Sequence, residues 1–175
     1  MNYFLQGFGV FLGVLAGVVV TYFAQWVGAR FENKQELKNL NFEINLNLIK
    51  IDSWLEKIVK YRNAVNGDAL RSFFEYFDLS RFISITANKM FSEGLLYKYW
   101  SEETIGELLI IYSEFSLDGE RFLNNLVNQD RTNFITAQDK GDLKGLAAAK
   151  AIAVQNVDFW ENKLKKHKRT LQGAL

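Results

Sequence analysis

Residues 1–30 read MNYFLQGFGVFLGVLAGVVVTYFAQWVGAR, and no side chain before Arg30 carries a charge. About 20 consecutive apolar residues are enough to carry a helix across the hydrocarbon core of a bilayer. A cleaved secretory signal fits this stretch less well. Met1-Asn2-Tyr3 offers no basic start, and the apolar run is longer than the core of such a signal. The stretch therefore predicts a transmembrane helix over residues 1–29, with a helical domain over 30–175. Lys and Arg mark the cytoplasmic side of a span. Arg30, Lys34 and Lys38 follow this one and nothing basic precedes it, so the N-terminus is expected outside and the domain in the cytoplasm.

The run is not uniform around its axis. At about 3.6 residues per turn, Gln6, Gly9, Gly13, Gly17, Val20, Ala24 and Gly28 fall along one side. Phe4, Phe8, Phe11, Leu15, Tyr22 and Trp26 fall on the other. The large side suits lipid, with Tyr22 and Trp26 placed for an interfacial aromatic belt. Gly9, Gly13 and Gly17 make two overlapping GxxxG units, and small residues let helix backbones approach closely within a membrane. Thr21 and Gln25 flank the stripe. On one reading the helix is a plain anchor whose glycines are incidental. On the other the chain is a homo-oligomer, and Gln6, Gly9, Gly13, Gly17, Thr21 and Gln25 form a helix-packing face or the wall of a pore.

The remaining sequence reads as all-α. There is no Pro among 175 residues, where average usage is about 5%, and Pro is what helix interiors exclude. Leu37, Leu40, Ile44, Leu48, Ile51, Leu55 and Ile58 recur at three- and four-residue steps, which extends the first helix to about Val65. Asn66-Gly67-Asp68 is a stop. A short aromatic helix is expected around Phe73, Phe74, Tyr76 and Phe77, and another from about Ser80 to Phe91. Ser101 reads as an N-cap with Glu102 and Glu103 in the first turn. That helix is expected to continue past Tyr112, Phe115 and Phe122 toward Thr136, until Asp139-Lys140-Gly141-Asp142 breaks it. A last helix carries Leu143, Leu146, Ile152, Val157, Trp160, Leu164 and Leu171.

Composition removes most chemistries. The absence of Cys rules out disulfides and thiolate sites. Lys and Arg number 21 against 20 Asp and Glu, so no broad basic surface exists to displace counterions from nucleic acid. No glycine-rich phosphate loop is followed by Lys-Ser or Lys-Thr. A single histidine, His167, constrains triads and His-based metal sites. Paired carboxylates such as Glu102 with Glu103, or Asp139 with Asp142, sit at helix ends, where capping accounts for them. No cofactor, metal or small-molecule substrate is expected, and the chain is read as a non-enzyme.

His167 lies on the apolar stripe of the last helix, surrounded by Lys163, Lys165, Lys166, Lys168 and Arg169. Read plainly, it is a packed or interfacial histidine, and the basic cluster complements a helix C-terminus. Read otherwise, Asn162-x-x-x-x-His167 resembles a degenerate HEPN ribonuclease motif, in which an Arg precedes a His on a late helix. Proton transfer at an RNA 2′-hydroxyl needs a group titrating near neutrality, and the phosphate needs a cation. Here the Arg position is Asn162 or Glu161, and neither replaces a guanidinium.

Asn162, His167 and the glycine-striped span together resemble the small membrane accessory proteins of type VI-B CRISPR systems. The similarity in organisation runs along nearly all of the chain. It implies a HEPN-like helical bundle on one span in a bacterial inner membrane. It also implies an oligomeric pore that potentiates antiviral defence by permeabilising or depolarising that membrane, functionally coupled to an RNA-guided RNase. Two further readings stand beside it: a non-conducting helical scaffold that docks a partner protein, and a residual HEPN ribonuclease.

Overall fold

The computed structural model describes residues 2–75, 77, 82–115 and 117–175; for residues 2–13 and 117–121 it describes the backbone only. Among the described residues there is no strand. The elements are α1 (Asn2–Asn66), α2 (Ile85–Ser92), α3 (Glu102–Glu114), α4 (Leu117–Asp139) and α5 (Leu143–Gly173), with single 3-10 turns at Leu70–Ser72 and Leu96–Lys98. The chain divides into two compact units, Met1–Leu40 and Asn41–Leu175. The first lies wholly within α1, whose apolar window of mean hydropathy 1.3 has none of its residues buried. That helix is long and apolar enough to cross a membrane.

The second unit is a helical bundle. Ile44, Ile51, Trp54, Ile58, Tyr61 and Val65 of α1 are buried in it. Trp54 takes the core place at that turn and leaves the expected Leu55 half-buried. Its indole stacks on Phe82 with centroids 5.3 Å apart and meets Phe115 at 4.9 Å, while Phe82 and Phe115 stand 4.6 Å apart. Aromatic pairs at such separations add about 0.5–1.5 kcal/mol each beyond the area they bury. Three distant segments converge on this trio.

α4 and α5 form a helical hairpin. Gly141 turns the chain at φ 64, a left-handed conformation that costs a glycine little. Asp142 then caps α5 by accepting from the Gly145 N–H at 2.9 Å. Ser101 caps α3 as expected, its Oγ accepting from the Thr104 N–H at 3.3 Å with Glu102 and Glu103 in the first turn. α5 buries Ala149, Ala153, Val157, Trp160, Leu164, His167 and Leu171 along one stripe. Between α4 and α5, Asp130 is buried against α1, accepting from Tyr61 Oη at 2.8 Å and from the Asn156 amide at 2.9 and 3.0 Å.

The structure departs from the periodicity at three places. No helix forms at residues 73–75 or 77: after the turn at Leu70–Ser72 the chain is extended at Phe73. The Phe77 N–H donates to Asn124 Oδ1 at 3.0 Å and its carbonyl accepts from Asn124 Nδ2 at 2.9 Å, so an α4 amide takes both backbone groups. Asn47 does the same for Ile83, at 2.9 and 2.8 Å. α2 begins only at Ile85, because Glu43 supplies the acceptors for the Thr86 and Ala87 N–H groups at 2.7 and 3.2 Å. Finally, the helix expected from Ser101 to Thr136 is two, since α3 ends at Glu114. Phe115 leaves helical geometry at φ −98, ψ 29 and drives its ring into the aromatic trio.

Asn47 is fully buried, so its loss strands two Ile83 backbone groups. Asn47→Leu is expected to destabilise the bundle by about 2–4 kcal/mol, read as the shift in a urea unfolding curve followed by near-ultraviolet circular dichroism. Asn47→Asp, which keeps the acceptor alone, is expected to fall between the two.

Candidate functional site

Two places carry the residues singled out by sequence, one in each unit. On α1, Gly17, Thr21 and Gln25 line one open groove with Val14, Val18 and Tyr22. They are four residues apart and so lie on one side of the helix. Gln6, Gly9 and Gly13 belong to the same helix, and their side-chain surroundings fall outside the described residues. Thr21 Oγ1 donates to the Gly17 carbonyl at 2.8 Å, which satisfies the hydroxyl proton within the helix and leaves only its lone pairs for a neighbour.

Gly17 has a further meaning. A Cβ placed there meets nothing within 4 Å, and the same holds at Gly28. Glycine inside a helix costs about 0.5–1 kcal/mol relative to alanine, and among the described residues no close contact requires that cost at Gly17. The opposite side carries exposed Phe23 and Trp26, with ring centroids 6.1 Å apart.

In the second unit, His167 is buried, and its Nε2 lies 2.8 Å from Glu114 Oε2. The other Glu114 oxygen takes Lys163 Nζ at 3.0 Å. The Phe115 ring meets the imidazole edge-on at 5.4 Å. Glu114 is the last residue of α3, so its carboxylate ties the end of that helix to α5 through two partners. Burial holds the imidazole below its usual pKa, against the hydrogen bond and charge of Glu114, which raise it. The ring is therefore neutral near pH 7 and donates its Nε2–H to the carboxylate.

Asn162 does not join His167. It is exposed, and a five-residue step turns about 140° around a helix, so the two side chains leave α5 in different directions. Glu161, the alternative register, is occupied by Lys165 and by Arg62 of α1, each at 2.5 Å. Both partners hold its carboxyl below the ordinary range, Lys165 foremost. Arg62 also reaches Asp158 at 2.7 Å.

The basic cluster is matched by carboxylates, from other helices for Lys163, Lys166 and Lys168 and from α5 itself for Lys165. Beyond Lys163 and Lys165, Lys168 meets Asp52 at 2.6 Å and Lys166 meets Glu107 at 3.5 Å, while Arg169 Nε turns to the Lys165 carbonyl. This face is an ion-paired seam between α5 and its neighbours, where an excess of positive potential for RNA is largely cancelled.

No family model, curated protein or solved structure matches this chain. Among the described residues no cluster of three or more His, Asp or Glu is placed to hold a metal ion. The residues that sequence reasoning missed are Glu114, Arg62, Glu107 and Asp52. They come from 53 to 116 positions away from their partners on α5. The one signal that pointed to the three acids was the unusual basic density of 163–169, which asks for carboxylates somewhere.

A lowered His167 pKa sets the sign of a pH effect. The unfolded imidazole, titrating near 6.5, takes up a proton before the folded one does. Stability is thus full above about pH 6.5 and falls as pH drops through the folded pKa. The expected outcome is a lower Tm at pH 5.5 than at pH 7.5. His167→Gln, which keeps a donor for Glu114 without a titrating ring, should show a shallower decline in the same melts.

Proposed function

We propose that this chain is a non-enzymatic, single-pass protein of a bacterial inner membrane, N-terminus outside and bundle in the cytoplasm. Copies of it associate through the small face of α1 to form a pore. The observation that carries the reading is an apolar helical window with no burial of its own, grooved by Gly17, Thr21 and Gln25 at a position where the fold of one chain gives glycine no reason. Such a surface needs lipid on its bulky side and a close backbone on its small side. Arg30, Lys34 and Lys38 just after the window support the orientation.

The resemblance to the membrane accessory proteins of type VI-B CRISPR systems gives the pore its role: permeabilising or depolarising the membrane of an infected cell, coupled to an RNA-guided RNase. The bundle is the natural gate, since no residue from Val14 to Ala29 is Asp, Glu, Lys, Arg or His. The surroundings of His167 support packing over RNA cleavage. The imidazole is committed to Glu114 and Phe115, and Asn162 points elsewhere.

One observation favours a non-conducting scaffold instead. The Thr21 hydroxyl turns back on the Gly17 carbonyl, which makes the groove less inviting to water.

Two experiments separate these readings. A reporter fused after Leu175 is expected to behave as cytoplasmic, and a periplasmic signal would overturn the orientation. Purified protein in liposomes is expected to release small dyes with weak ion selectivity, because no charged ring lies in the span. Gly17→Leu should cut both the detergent-stable oligomer and the release severalfold, while Val19→Leu should change neither. Membranes that stay sealed with the parent favour the scaffold. RNA cleavage that His167→Ala abolishes favours the ribonuclease.

A further inference from the structure

Two basic stretches of this chain differ in what meets their charges. Those of α5 from Lys163 to Lys168 each meet a carboxylate. Arg30 and Lys34, just beyond the apolar window, are exposed, and among the described residues no carboxylate pairs with either. They are four residues apart, so their side chains lie one turn above each other on the same face of α1. Like charges at that spacing destabilise a helix unless an anion sits between them. Lys38 continues the row another turn on.

Nearby acids do not answer them. Glu32 and Glu36 fall on the opposite side of the helix, each about 160° from Lys34 by helical periodicity. The charge in this stretch is therefore segregated, with cations on one face and carboxylates on the other.

The cationic face is also shaped. Trp26, Val27, Arg30, Phe31 and Lys34 line a shallow hollow. The Arg30 guanidinium lies over the Trp26 ring, 5.3 Å from its centroid, a cation–π contact. Phe31 stands 70% exposed beside it. The order along the axis is apolar, aromatic, Arg, Lys. That is the order met on leaving a bilayer through the acyl boundary, the glycerol level and the phosphates.

We propose that this hollow binds the phosphate of an anionic phospholipid, with Arg30 and Lys34 as its donors and Trp26 and Phe31 against the glycerol and upper acyl chain. Arg30 is suited to bidentate contact with phosphate oxygens, and Lys34 adds a point charge one turn further out. The commitment to a lipid rather than a free phosphate comes from the aromatic half of the hollow, which an inorganic ion leaves uncovered. The site rests on the membrane reading of α1, and it would fix the depth and rotation of that helix.

The test uses the full-length protein purified in an uncharged detergent, with native mass spectrometry counting the lipids retained after delipidation and addition of phosphatidylglycerol or phosphatidylcholine. Phosphatidylglycerol is expected to be retained at least severalfold over phosphatidylcholine. Arg30→Gln with Lys34→Gln should remove that preference, whereas Lys98→Gln should preserve it. Both replaced residues are exposed on α1, so the variant is expected to keep the parent circular dichroism. Equal retention of the two lipids, or a preference unchanged in the double variant, would overturn the site. Displacement of the lipid by equimolar inorganic phosphate would overturn the lipid assignment in favour of a free anion. Flotation with neutral phosphatidylcholine vesicles tests the span separately. A chain that floats but shows no headgroup preference loses only this site, and one that stays in the soluble fraction loses the membrane reading and the site with it.

Discussion

The stacking of Trp54, Phe82 and Phe115 is the contact on which the bundle turns. Each ring arrives from a different segment: α1, the chain entering α2, and the corner after α3. The corner exists because Phe115 must leave helical geometry to reach the stack, and that exit separates α3 from α4. Once Phe115 is seated, its edge meets His167, and the adjacent Glu114 holds both His167 and Lys163. A single packing demand therefore places the end of α3 against α5. Losing a buried aromatic of this size typically costs about 3–5 kcal/mol, a large part of the stability of a small domain.

The second constraint is polar. Between α1 and α2 the described backbone is irregular yet partly buried, and buried peptide groups cannot go without partners. Asn47, Asn124 and Glu43 supply them from the helices on either side: two amides imitate a strand neighbour for Ile83 and Phe77, and one carboxylate caps α2. All three are buried, and each gives its polar atoms to backbone groups, with the Tyr112 hydroxyl also donating to Glu43 Oε1 at 3.3 Å.

Charge is distributed with a similar economy. Helix α5 carries the densest basic stretch of the chain, and its lysines are returned to Glu107, Glu114, Asp52 and Glu161. The short basic row after the apolar window has no such partners. Seen by sequence alone the two stretches look alike, and the longer one draws more attention. In the structure the longer one is spent internally, and the cations of the shorter one are exposed.

The apolar, uncharged length of residues 1–29 needs no tertiary information, because helix rise and bilayer thickness alone relate it to a span. The extent of α1, the cap at Ser101, the break over 139–142 and the later half of the α5 stripe were equally legible from local spacing, whereas in the first half of α5 Leu143 and Ile152 are exposed and Ala149 and Ala153 are buried instead. What tertiary structure decided are the places where a distant side chain outbids a local hydrogen bond. The absence of helix at Phe73 and Phe77, the late start of α2 and the division of α3 from α4 depend on Asn124, Glu43 and the aromatic stack. His167 shows the same division within one residue. Its place on a buried stripe followed from periodicity, but its lowered pKa comes from burial and its carboxylate partner is Glu114, 53 positions away, and burial and long-range pairing leave no mark in the neighbouring sequence.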